Sequence, residues 1–187
     1  PLHVDKYRHQ NLDTAQILGS WTQVLLAAAR HNGIDTRELL EAVGLDPDEL
    51  VDPNARHSTD VISALWSCAA EMSGNPCIGI DAVGYVNTTT FQALGYSVLA
   101  SATLRGAFER YARFGRTIIS NAHLELKKEG EQTHLLYEMG RGSARLPDEA
   151  IDAVIAQAVQ TARYLTRSSV NRVSVALRRP KPDHTKP

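Results

Sequence analysis

Aromatic side chains are scarce in this chain: three Phe, six Tyr and two Trp make up 6% of 187 residues. Cysteine is scarcer still, with only Cys68 and Cys77. Two thiols nine positions apart in helical stretches match no metal spacing and cannot staple a fold. They read as buried thiols in a reducing compartment. An excess of one charge is missing too: 20 Lys plus Arg stand against 21 Asp plus Glu, a net charge of −1. A DNA-binding domain ordinarily carries a basic excess, so these residues alone are a poor fit for one. No apolar run approaches the roughly 18 residues of a membrane span. The opening PLHVDKYRHQNLD has no apolar core that could serve as a secretory signal. A cytoplasmic protein without a membrane partner is the expectation. Catalytic signatures are absent as well: no G-x-S-x-G elbow, P-loop, H-E-x-x-H or dinucleotide-binding glycine fingerprint. No catalytic residue, cofactor or metal is therefore expected, and the chain does not read as an enzyme.

What is present is an ordinary globular composition, 43% apolar and 22% charged. A chain of this size buries about 70% of its unfolded surface and needs no cross-link to fold. Periodicity predicts helices over 14–31, 36–43 and 59–73, a one-turn helix at Pro47, and a short helix from Pro76 to about Val83. Asp13 with Gln16, and Asp35 with Glu38, resemble capping boxes.

The most strongly patterned stretch runs from Phe91 to Ile119 as two helices joined at Ser101, a natural N-cap. Phe91, Leu94, Val98 and Leu99 share one face of the first; Leu104, Ala107, Phe108, Tyr111 and Ile118 share one face of the second. Arg105, Glu109, Arg113 and Arg116 form the opposite, charged side.

After Asn121 the period falls to two. His123–Glu129 and Gln132–Met139 flank Gly130-Glu131, which suits a type II′ hairpin turn. Pairing Glu129 with Gln132 sets Leu124 opposite Tyr137 and Leu126 opposite Leu135 on one apolar face. Pro147 opens the longest helix, to about Thr166, with Ile151, Val154, Ile155, Ala158, Ala162 and Leu165 in its stripe. A third strand is expected over 172–178. The fold class is α+β: a helical N-terminal half, then a small antiparallel sheet packed with a long helix. Three strands make a thin sheet, so more strands are expected beyond Pro187 or from a partner chain.

Candidate chemistry is sparse. His123 and His134 share the polar face of the hairpin, but a metal needs three or four ligands, and two solvated histidines are the simpler reading. Residues 34–52 resemble a helix-turn-helix in outline, yet Arg37 is their only cation, and an acidic pair of helices repels phosphate. A capped helical hairpin within the domain fits better. Arg105, Arg110, Arg113 and Arg116 suit a carboxylate-bearing ligand or, more simply, a solvated face with local ion pairs. Trp66, Phe91, Tyr96, Phe108, Tyr111 and Phe114 cluster mid-chain, and such aromatics line a small-molecule pocket or fill a core. The side chains singled out as ligand-binding candidates are Trp66, Phe91, Tyr96, Tyr111 and Arg113.

Three motifs also resemble a family. They are Leu94-Gly95-Tyr96 inside an apolar helix, Ser101-Ala102-Thr103-Leu104 at a cap, and Phe108-Glu109-Arg110-Tyr111 in the helix that follows. Pro76-Cys77-Ile78-Gly79-Ile80 adds a Pro-x-x-Gly helix before them. Together they resemble the N-terminal, arabinose-binding-like sensory domain of AraC-type transcriptional regulators, of the ornithine-utilisation-regulator subgroup. The likeness extends over most of residues 15–182. It implies an effector-binding and dimerisation domain over 14–179, after an extended or disordered N-terminus at 1–13 and before a linker-like, truncated tail at 180–187. It further implies a small-molecule effector, a homodimer, and DNA contact only through a C-terminal helix-turn-helix domain absent from these residues. The rival reading is a protein–protein interaction module without a small-molecule pocket.

Overall fold

The computed structural model describes residues 15–50, 52–139, 146–167 and 174–179. The first predicted helix does not begin at 14. Gln16–Leu18 is instead a short strand, β1, and the helix α1 spans Gly19–His31. A second short strand, β2 (Arg56–Ser58), pairs with β1 antiparallel, Ile17 facing His57. On its other side β1 meets the chain at Ile119, where the Leu18 amide donates to the Ile118 carbonyl at 2.8 Å. This clasp explains the late helix start. The amides of Gly19 and Ser20, orphans at a helix N-terminus, donate to the carbonyls of Ala55 at 2.7 Å and Pro53 at 3.0 Å. Tertiary partners therefore replace the expected Asp13–Gln16 box, whose Asp13 lies outside the described residues.

Three helices follow the sequence pattern closely. In α2 (Thr36–Ala42) the Asp35 side chain caps the Arg37 amide, and α3 (Thr59–Ser73) runs from a Ser58 cap to Gly74 in the left-handed region. The third, α4 (Ile78–Ala82), continues as a tight turn over Val83–Tyr85. Leu25, Leu39, Ile62, Leu65, Trp66 and Ile78 are almost wholly buried where α1, α2, α3 and α4 meet. Cys68 is buried as expected, whereas Cys77, at the start of α4, is exposed.

The central stretch forms α5 (Gln92–Leu99) and α6 (Leu104–Phe114). The cap of α6 is Thr103, whose hydroxyl accepts from Gly106, and not Ser101. Ser101 is occupied elsewhere: its hydroxyl accepts from Arg110 Nη1 at 2.9 Å and donates to the Ser97 carbonyl. Gly95 owes its identity to a close approach, since a Cβ there would stand 2.4 Å from the Thr88 carbonyl oxygen.

The hairpin strands β3 (Ala122–Glu129) and β4 (Gln132–Met139) pair in the expected register, with Leu124 facing Tyr137 and Leu126 facing Leu135. The last helix, α7 (Asp148–Thr166), departs from its predicted stripe. Its most buried residues include Ala150 and Ala153, pressed on α4, while Val154 and Ile155 are only half-buried. Gly79 sets this crossing: a Cβ on it would lie 1.9 Å from the Glu149 carbonyl oxygen. Only small residues let the two backbones come so near. The expected third strand does not form at 174–177; residues 172–173 lie outside the described part. Ion pairs hold that segment instead of a ladder: Arg178 with Glu138 at 3.6 Å, and the buried Arg179 with Asp148 at 3.4 Å and with Asp152. Among the described residues there are two antiparallel sheets, each of two strands. The predicted terminal segments at 1–13 and 180–187 lie outside the described residues.

Candidate functional site

Where the helical half meets the hairpin, the apolar surfaces do not close completely. Trp21 of α1, Phe91, Phe108 and Tyr111 of α6, Leu124 and Tyr137 of the hairpin, and Val154, Ile155, Gln157 and Ala158 of α7 line a partly open cavity of about 80 Å³. That is several times the roughly 10–15 Å³ that one water molecule needs. Ring geometry shapes the wall. Trp21 stacks on Phe91 with centroids 5.5 Å apart, and Phe91 meets the edge of Tyr111 at 6.0 Å. Such offset and edge-to-face pairs are the preferred aromatic arrangements.

A second chamber of about 300 Å³ lies alongside, lined by Asn87, Thr88, Leu99, Gln160, Thr161 and Tyr164 among others. Phe91, Tyr111 and Gln157 belong to both linings and so form the partition. The Gln157 amide nitrogen donates to the Thr161 hydroxyl at 3.1 Å, and the Tyr111 phenol is hydrogen-bonded to the same Thr161. The Gln157 carbonyl oxygen is buried and has no hydrogen-bond partner. Burial pushes the Tyr111 phenol up, partly offset by the Thr161 hydrogen bond. Burial drives Tyr137 far above the ordinary phenol range; its hydroxyl meets the Met139 sulfur at 3.2 Å. Among the described residues, no Asp, Glu, Lys, Arg or His lines either chamber. Among the described residues no group of three His, Cys, Asp or Glu could hold a metal ion. His134 lies 3.6 Å from Glu129, and His123 faces Glu138 across the hairpin.

Of the five side chains singled out from the sequence, Phe91 and Tyr111 are brought together at the partition. Trp66 is in the helical core at 1% exposure, away from both linings. Tyr96 is 58% exposed on α5, and Arg113 is exposed with its guanidinium over the Phe114 ring at 5.2 Å. Sequence reasoning missed Trp21, Tyr137 and Gln157. A signal for Gln157 was present: it stands three residues after Val154 and four before Thr161, a polar side chain beside an otherwise apolar helical stripe.

A family profile described as the arabinose-binding domain of AraC transcription regulators, N-terminal, matches residues 33–187. The chain belongs to that family. Its relatives agree. An ornithine utilization regulator of Pseudomonas aeruginosa is 25% identical over 169 residues, which is 89% of this chain and 49% of that protein. Helix-turn-helix-type transcriptional regulators of Mycobacterium bovis and Mycobacterium tuberculosis are each 32% identical over 85 residues, 45% of this chain and 25% of theirs. The chain thus spans about half the length of the first of these relatives. The motifs that carry the AraC-type resemblance are explained by packing: Gly79 and Gly95 sit against backbone carbonyls, and Thr103 caps α6. No described helix is long and apolar enough to cross a membrane.

Proposed function

We propose that this AraC-type domain senses a small molecule in the two-chambered site at the helix–hairpin junction. The observation that carries the reading is an apolar cavity partitioned by Phe91, Tyr111 and Gln157, in a domain of a regulator family. Apolar walls with a few convergent polar groups are the usual make-up of a ligand pocket. Phe91 and Tyr111 would touch the effector. The site has no nucleophile–base pair, so recognition and not turnover is its chemistry. The effector would bind one arrangement of helices and hairpin more tightly than another and so bias a DNA-binding domain elsewhere in the whole protein. Homodimerisation is part of the same reading, supported by exposed apolar side chains: Tyr164 at 70%, Tyr96 at 58% and Ile80 at 52%.

A thermal-shift screen against a broad metabolite panel tests the sensing role. A ligand at a hundred times its dissociation constant adds about 2.7 kcal/mol of stability. Sedimentation of a concentration series tests the dimer, with Tyr164→Ser expected to favour the monomer. A blank screen together with specific capture of a protein partner would favour the rival interaction-module reading, to which the same exposed side chains lend support.

A further inference from the structure

Outside the junction, a groove of about 400 Å³ runs between α1, Asn54, Tyr85 and Gln92. Ligand sites commonly have volumes of about 300–1,000 Å³. Among the described residues only Asn87 is shared with the outer chamber, and none with the inner one. The groove is therefore a site of its own, independent of the sensing role proposed above. Val24 and Ala27 line it from one face of α1, and Arg30 follows at the same spacing in the last turn.

The two ends of the groove differ. At the start of α1 the Ser20 amide donates to Pro53 and its hydroxyl to Thr90, which places Asn54 and Gln92 at that end. Arg30 stands about 15 Å further along the helix axis. It is exposed and makes no ion pair among the described residues, so its guanidinium fork is open to an anion. The open groups at the opposite end are neutral. The Gln92 amide nitrogen donates to Asn54 at 2.7 Å, which leaves the Gln92 carbonyl oxygen as an acceptor. The Asn87 side-chain oxygen receives the Thr89 hydroxyl at 2.6 Å, which leaves the Asn87 amide nitrogen as a donor. Asn87 is exposed and Gln92 half-buried, so a molecule in the groove can reach both. Gln92 is also held at φ +49°, in the left-handed region that residues other than glycine seldom adopt. Strain of this kind gathers where a binding surface is fixed in advance. A hydroxyl both donates and accepts, so it suits Gln92 and Asn87 together.

We propose that this groove is a second ligand site, for a small hydroxylated carboxylate. The carboxylate pairs with Arg30, the carbon chain lies over Val24 and Ala27, and the hydroxyls bond Gln92 and Asn87.

Amide chemical-shift titration of the labelled chain tests this with four probes: gluconate, sorbitol, acetate and sorbitol 6-phosphate. Gluconate is expected to shift the amides of Asn54, Asn87 and Gln92. It should bind about tenfold more tightly than sorbitol, the lower end of what a charge-assisted hydrogen bond supplies, because Arg30 is exposed and the pair is partly screened. Acetate, which lacks the hydroxyls, should also bind more weakly than gluconate. Arg30→Gln should bring gluconate down to the level of sorbitol, and the unshifted amides of that variant check that it is folded. Equal affinity for gluconate and sorbitol, or an advantage that survives Arg30→Gln, overturns the pairing with Arg30. Acetate binding as tightly as gluconate overturns the hydroxylated body, and sorbitol 6-phosphate binding more tightly than gluconate overturns the carboxylate. Shifts absent from the groove with every probe overturn the site. None of these outcomes bears on the junction chambers, whose own ligand screen stands apart.

Discussion

Trp66 and Trp21 are both buried, at 1% and 4% exposure, yet they serve regions packed to different ends. Trp66 lies among Leu25, Leu39, Ile62 and Leu65, each at 0% exposure, where helix packs on helix and the space is filled. Trp21 stacks on Phe91 at the wall of a cavity, where helices meet a two-stranded hairpin. A hairpin offers only alternate side chains to its neighbours, so its apolar face is a ridge and not a cap. The contrast shows one chain treating a like residue as filler in one place and as lining in another. Truncating both tryptophans is the sharpest way to break it. Trp66→Ala should cost about 4 kcal/mol, near the middle of the range for large core aromatics. Trp21→Ala should cost at least about 1 kcal/mol less, because one side of its ring already lacks partners. Urea unfolding of the two variants decides, and equal losses would erase the distinction between filled core and open junction.

The helix α7 belongs to both regions. Its Ala150 and Ala153 press on α4, whereas Val154 and Gln157 face the cavity. Gly79→Ala should therefore disturb both at once. The new Cβ meets the Glu149 backbone, which cannot rotate away, so α7 must lift at a cost of about 2–3 kcal/mol. Filled core and cavity are expected to respond together, with lower stability and altered ligand binding. A loss of stability with unchanged binding would show that α7 does not couple them.

Much of this was legible in the sequence, and the failures share a cause. The α3 helix could be read because its Ser58 cap, its apolar period and Gly74 are all local. The hairpin register could be read because a one-residue slip would turn Leu124 and Tyr137 to the wrong face. The strands β1 and β2 could not, since three residues hold less than two periods of alternation and their partners lie some forty positions apart. Ser101 and Thr103 are equally good cap residues by type, and the choice fell to Arg110 reaching Ser101. For the candidate site, Phe91 and Tyr111 stood out as helix-spaced aromatics. Trp21 and Tyr137 read as plain core, because a gap between packed elements leaves no mark in the periodicity of either.

Titration offers a further comparison, since Tyr111 and Tyr137 line the junction. Both phenols are raised above their ordinary value, so the neutral form is the one that folding favours. Their contribution is fully present below about pH 10, where an unfolded tyrosine begins to ionise. It is lost as pH rises beyond that point toward the folded values. Stability should be level between about pH 8 and 9 and fall above about pH 10. Tyr137→Phe should flatten that fall, and a slope unchanged by Tyr137→Phe and Tyr111→Phe together would place the alkaline sensitivity outside the junction.

The smallest effect is the most telling about the junction. In a filled core, removing a hydrogen-bonding side chain costs stability because its partner is stranded. The Gln157 amide has one partner, Thr161, which is also bonded to Tyr111, and its carbonyl oxygen has none. Gln157→Leu therefore forfeits one neutral hydrogen bond of about 1 kcal/mol and relieves an unpaired acceptor that costs about 1–3 kcal/mol. The added apolar surface faces the cavity, where it gains little packing. The balance is a change between nothing and about 2 kcal/mol of added stability, read from the unfolding midpoint at constant slope. A loss of more than about 1 kcal/mol would mean that the amide holds α7 to α6 as structure. Unchanged or increased stability, with altered ligand binding, is what a residue retained for recognition should show.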